Sequence, residues 1–142
     1  SFPSERYLHK IERNNHMKRY YISHPFTGCE GENQEDAERI RATLKKKYPN
    51  ICFMNPLGMF GGRDTDYCIA LADALELLSC CEVMILCPGW DHSIGCRAEK
   101  AFAIQQGIDI HYLDEYIEGN REAGGGYDCG GKEKGRMKWE QD

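Results

Sequence analysis

The segment Pro88-Gly89-Trp90-Asp91-His92-Ser93-Ile94-Gly95-Cys96-Arg97-Ala98-Glu99 holds the densest set of residues able to do chemistry. It follows a continuous apolar run, Val83 to Cys87, and leads into a helical pattern with Ser93 at the expected N-cap. Two readings of Ser93 stand side by side. It caps the helix, or the free N–H groups and the dipole at that end hold an anion beside it. Gly95 lets a ligand or another backbone approach closely. Glu99 lies four residues beyond Gly95, on nearly the same side of the helix. It borders an inward stripe read as Ala98, Phe102 and Gln105. A carboxylate so placed is either partly desolvated, with a raised pKa and the makings of a nucleophile or acid–base group, or solvated and paired with Arg97 or Lys100. Trp90 either stacks on a base or covers the end of the sheet.

A second group is Tyr21-Ile22-Ser23-His24-Pro25-Phe26-Thr27-Gly28. Tyr21, near a strand end, can place a phenol over a site. Ser23, Thr27 and the backbone up to Gly28 can bind phosphate or sugar hydroxyls. The alternative is a core tyrosine followed by an ordinary proline turn. His24 is a lone histidine. Asp64, Asp66 and Asp73 flank the start of another helical pattern; the first two suit caps, and Asp73 is the one that could face a site. No C-x-x-C pair, H-x-x-x-H pair or carboxylate cluster suggests a metal. Neither a P-loop nor G-x-G-x-x-G is present, so an NTPase and a dinucleotide dehydrogenase find no support, and no cofactor is expected.

The elements that must position these residues alternate. Arg19–Ser23 reads as a strand, and about 34–47 as a helix with Ala37, Ile40 and Leu44 at helical spacing and Asn33 as cap. Ile51–Met54 is a strand, stopped by Asn55-Pro56, and 57–65 a loop. A helix from about 65 to 80 carries Ile69, Ala72, Leu75 and Leu78 on one side. Val83–Cys87 is a strand, Ser93 to about Gln106 a helix ended by Gly107, and Ile108–Leu113 a strand. The order β-α-β-α-β-α-β predicts a single α/β domain with a doubly wound parallel sheet and right-handed crossovers. Ligands of such folds sit beyond the carboxyl ends of the strands, which selects 23–28, 55–66 and 88–99.

The chain's 142 residues suffice for one domain, expected at 17–117. Residues 1–16 read as a native N-terminal extension or as a remnant preceding a start at Met17. Residues 118–142, with Gly124-Gly125-Gly126 and Gly130-Gly131, read as a Gly-rich charged tail. The net charge of −5 and the lack of a basic run argue against duplex nucleic acid. With no membrane-length apolar stretch and no secretory signal pattern, the expected place is the cytoplasm, and the eight cysteines are read as reduced thiols.

Taken together, Tyr21 to Gly28, Asn55-Pro56-Leu57, Leu77-Leu78-Ser79-Cys80, and Cys87-Pro88-Gly89-Trp90 with Ser93, Gly95, Cys96 and Glu99 resemble the nucleoside 2-deoxyribosyltransferase-like superfamily. The nearest subgroup is the domain of unknown function DUF4406, and the likeness spans about residues 17–113. The resemblance implies a flavodoxin-like, Rossmann-like fold and a homodimer or larger homo-oligomer. It implies that Glu99 attacks the anomeric carbon of a nucleoside or nucleotide, that Tyr21 orients and tunes it, and that Ser93 and Gly95 lie by the sugar or phosphate. Ser23, His24, Pro25, Phe26, Gly28, Asn55 and Trp90 complete the expected substrate-binding set, and Asp73 is the candidate acid at the leaving base. The chain departs from the pattern at His24, where many relatives have Gly, and at Glu82, where Asp is common. The acidic residue that engages the base in transferases has no secure match.

The expected function is therefore N-glycosidase or 2-deoxyribosyltransferase chemistry on a nucleoside or nucleoside monophosphate. The alternative is a non-catalytic nucleotide-binding protein, a sensor or phage-encoded ligand sponge. A third possibility is an assembly protein joined through its terminal arms.

Overall fold

The computed structural model describes residues 17–60 and 66–117. The expected N-terminal extension, the Gly-rich tail and Asp64 lie outside the described residues. The elements in chain order are β1 (Arg19–Ser23), α1 (Glu30–Lys47), β2 (Cys52–Met54), α2 (Pro56–Phe60), α3 (Tyr67–Ser79), β3 (Val83–Leu86), α4 (Ile94–Gln106) and β4 (Asp109–Tyr112). Short 3-10 turns occupy Trp90–His92 and Leu113–Glu115.

All strand pairs are parallel and the sheet order is β2-β1-β3-β4. This is the expected α/β architecture, of the flavodoxin-like and Rossmann-like kind. The chain turns one way out of β1, to β2, and the other way out of β3, to β4. Loops leaving adjacent strands in opposite directions open the crevice in which such sheets hold ligands.

Side chains alternate across β1. Tyr20 and Ile22 face one layer with Ile40 and Leu44 of α1, Phe53, Val83 and Ile85. Tyr21 faces the other with Ala74 and Leu78 of α3, Cys96 and Ala103 of α4, Met84 and Leu86. Every residue of β3 is buried, as its unbroken apolar run requires when both faces are covered.

Several elements differ from the sequence expectation. α1 starts at Glu30, not near Gln34, with Cys29 at the N-cap. Glu30 and Glu32 in its first turn suit the positive end of the helix dipole. Asn33 is thus inside the helix and buried, and its Nδ2 donates to the Phe26 carbonyl at 3.0 Å. The expected loop 57–65 opens on a helix instead, α2 over Pro56–Phe60. Asn55 supports its start, the Leu57 N–H donating to Oδ1 at 3.2 Å, and Pro56 opens it without needing a donor. On α3 the inward residues are Ala74 and Leu78, whereas Ile69 and Ala72 are exposed. The buried row of α4 is Cys96, Glu99 and Ala103, not Ala98, Phe102 and Gln105. The shift is one position around the helix, and it moves Glu99 from the border of the stripe to its centre.

Two local signals hold. Ser93 caps α4, accepting from the Cys96 N–H at 3.2 Å. Gly107 ends it in the left-handed conformation at φ 74°, where an L side chain is strained. Among the described residues no helix is long and apolar enough to cross a membrane.

Candidate functional site

β1 and α4 meet at one carboxyl group. Tyr21 and Ser23, two positions apart on a strand, project from the same face. The Tyr21 hydroxyl donates to Glu99 Oε2, and the Ser23 hydroxyl donates to Oε1 at 2.7 Å. Both oxygens are therefore held, by neutral donors on one strand. Tyr21 and Ser23 are fully buried and Glu99 is 7% exposed. Of the alternatives for Glu99, a solvated pair with Arg97 or Lys100 is not what forms.

The electrostatics follow from that setting. Burial pushes the Glu99 carboxyl up to about 7, while the bonds from Tyr21 and Ser23 pull it back down. Burial, then the Glu99 charge, hold the Tyr21 phenol well above its usual range, so it stays a donor. Cys96 packs beside them; burial and Glu99 push its thiol up to about 12. A thiol so protonated is a packing group, not a nucleophile.

Ser93 and Gly95 stand at the start of α4, one turn before Glu99. A Cβ at Gly95 would lie 3.3 Å from the Tyr67 hydroxyl oxygen and 3.9 Å from Ser93 Oγ. Tyr67 thus reaches across from the first turn of α3. Partial burial, then the Glu99 carboxylate, raise its phenol above the ordinary value. Sequence reasoning did not single out Tyr67, because its place depends on how α3 packs on α4.

The remaining expected residues divide. His24 is buried, with Nε2 at 2.7 Å from Asp36 Oδ2 and Nδ1 at 2.7 Å from the Pro25 carbonyl. Asp36 Oδ1 accepts from Arg39 at 2.5 Å. Both His24 nitrogens are committed within the protein, so His24 is a brace under the β1 loop rather than a free ligand group. Asp36 is the partner that sequence reasoning missed. Pro25 and Phe26 are half-buried in that loop, and Gly28 turns it at φ 112°. The Asn55 side chain, besides accepting from Leu57, donates from Nδ2 to Glu38 at 3.4 Å. Trp90 is half-buried against the α3/α4 layer, with the Lys100 ammonium 4.3 Å from its ring centre and Tyr112 against it. Of the alternatives for Trp90, covering the sheet end is the one that geometry favours, since a base stacking on the Lys100 side would have to displace that ammonium.

Asp66 caps α3, its Oδ1 accepting from the Cys68 N–H at 2.7 Å. Asp73, the candidate acid, is exposed on α3 and, among the described residues, makes no hydrogen bond or ion pair. From α3 it is Tyr67 that reaches the start of α4, at Gly95. Among the described residues no three His, Cys, Asp or Glu side chains gather in a way that could hold a metal ion.

A family model described as "Domain of unknown function (DUF4406)" matches residues 18–112. No curated protein matches the chain.

Proposed function

We propose that this chain, which belongs to the DUF4406 family, breaks or exchanges the N-glycosidic bond of a nucleoside or nucleoside monophosphate, with Glu99 as nucleophile. One observation carries the reading: a buried carboxyl, held at both oxygens by Tyr21 and Ser23, at the carboxyl end of β1.

Breaking such a bond develops positive charge at the anomeric carbon, which a carboxylate can stabilise or trap. A Glu99 oxygen forms a bond to that carbon as the bond to the base breaks. The base leaves with the bonding pair and takes a proton from solvent. Water then completes hydrolysis, or a second base completes transfer. A carboxyl near 7 is poised for this, being substantially ionised at neutral pH. The Tyr21 and Ser23 donors favour the ionised form and fix its direction. The superfamily likeness to nucleoside 2-deoxyribosyltransferases supports the substrate class.

The test is incubation of the purified full chain with deoxynucleosides and nucleoside monophosphates, following free base. Release by wild type and its loss in Glu99→Ala is the expected result. No release across the panel, with wild type equal to Glu99→Ala, refutes it. A second reading, nucleotide binding without turnover, is favoured by the fact that both Glu99 oxygens already carry hydrogen bonds. It predicts ligand binding kept in Glu99→Gln and no base release by wild type.

The proposal extends to a homo-oligomer, for which Ile69 on α3 and Ile94 and Ile104 on α4 are exposed apolar side chains, and to the cytoplasm, for which the free thiols of the described cysteines speak. Light scattering of the pure protein reads the first.

A further inference from the structure

The site contains a second phenol with a setting unlike the first. Tyr21 is fully buried and its hydroxyl is bonded to Glu99. Tyr67 is 49% exposed, and among the described residues its hydroxyl has no hydrogen-bond partner. Yet that hydroxyl is not loose on the surface. It lies against Gly95, where an added Cβ would meet it at 3.3 Å. Gly95 precedes Glu99 by four residues on the same side of α4, a rise of about 6 Å along the axis.

A tyrosine serving only as packing would bury its ring and turn its hydroxyl to bulk water. This one does neither fully. Its hydroxyl end rests against the start of α4 at Gly95, where any side chain would crowd it. The Ser93 oxygen, also close to Gly95, already accepts from the Cys96 N–H. The unspent donor at this spot is therefore the phenol.

We propose that Tyr67 is a specificity residue whose hydroxyl donates to a ligand oxygen about one helical turn from the carbon that Glu99 meets. In a furanosyl nucleoside the oxygen at that remove from the anomeric carbon is the 5′ oxygen, free or carried in a 5′-phosphate. The proposal rests on the reading of Glu99 as the group that meets the anomeric carbon. It adds the residue that senses the far end of the sugar. Partial burial, then the Glu99 carboxylate, raise the Tyr67 phenol above an ordinary value that already keeps it a donor at neutral pH.

The experiment compares wild type with Tyr67→Phe, which removes one oxygen and leaves the ring. Three compounds are used: a 2′-deoxynucleoside, its 5′-monophosphate, and the 2′,5′-dideoxy analogue that lacks the 5′ oxygen. Base release is expected to fall about tenfold in kcat/KM, chiefly through KM, for the compounds with a 5′ oxygen. The dideoxy analogue should be cleaved equally by both proteins. A larger loss on the monophosphate assigns the contact to phosphate, and an equal loss on the two assigns it to the ester or hydroxyl oxygen. Equal loss on all three compounds, or loss on none, overturns the proposal. If wild type releases no base at all, the glycosidic reading fails by itself. The same comparison is then made by calorimetric binding, where the Kd ratios should follow the same pattern. Binding of none of the three to wild type overturns the Tyr67 proposal as well.

Discussion

The Tyr21 phenol donates to Glu99 Oε2 from a position 78 residues earlier in the chain, and both groups are buried. The bond lowers the carboxyl against the upward push of burial. Removing the hydroxyl in Tyr21→Phe must therefore move Glu99 further up. The acidic limb of kcat/KM, expected near 7 for a reaction needing the carboxylate, should shift up by about one unit. Ser23→Ala should move it in the same direction. A pH–rate profile reads both, and an unmoved limb would show that these donors do not tune the reacting group.

Glu99 also makes stability depend on pH. Its ordinary value is 4.5 and its folded value about 7. Below the ordinary value the carboxyl is protonated in the folded and unfolded chains alike. Between the two values the folded chain holds the proton more tightly, so stability falls as pH rises and levels off above the folded value. The full loss is about 3 kcal/mol, at about 1.4 kcal/mol per unit. Glu99→Gln carries no such charge. Urea unfolding should find it more stable than wild type by up to about 3 kcal/mol near pH 8 and little different near pH 4. An identical difference at the two pH values would contradict the assignment.

The His24–Asp36 pair should behave as a brace. Both side chains are fully buried, and Asp36 also holds Arg39. Asp36→Ala leaves the buried His24 Nε2 and the Arg39 guanidinium without this partner, a change that costs about 3–5 kcal/mol when one partner of a buried pair is removed. Asp36→Asn keeps a hydrogen-bonding oxygen and should cost less. A denaturant midpoint for Asp36→Ala within error of wild type would remove the brace from the account.

Gly95→Ala separates stability from activity. Alanine favours a helix over glycine by up to about 1 kcal/mol. The new methyl meets the Tyr67 hydroxyl, the far end of a half-exposed side chain that can move aside. The melting temperature should therefore hold or rise while base release falls. A variant that loses stability in proportion to activity would mean that Gly95 serves backbone packing instead.

Much of this arrangement was legible from local chemistry. The Ser93 cap and the Gly107 stop depend on backbone groups within a few residues, and both stand where the pattern put them. Tyr21 and Glu99 came from motif likeness, and their bond joins them in space. What escaped notice depends on tertiary choice. The phase of α4 differs by one residue from the hydrophobic reading, because Glu99 itself fills an inward position that a polarity rule assigns to water. Ile69 and Ala72 fit the inward face by type, yet both are exposed; Leu75 and Leu78 face inward as expected, and Ala74 joins them. Asp36 reads as one more acidic residue in a charged helix until β1 brings His24 to it. Tyr67 carries no mark of its role except a glycine on another helix.

The two adjacent tyrosines of β1 give the fold a problem of molecular proofreading. If β1 slipped by one residue against β3, Tyr20 would replace Tyr21 on the α4 side, and a phenol would still be offered to Glu99. The error is detected two positions on. There the slipped strand would present Ile22 in place of Ser23, leaving one carboxylate oxygen buried without a donor, and would turn Ser23 into the apolar layer of α1. The serine that holds the Glu99 carboxyl thus also tells the correct sheet from its nearest imitation, so assembly and the proposed activity are checked by the same hydroxyl.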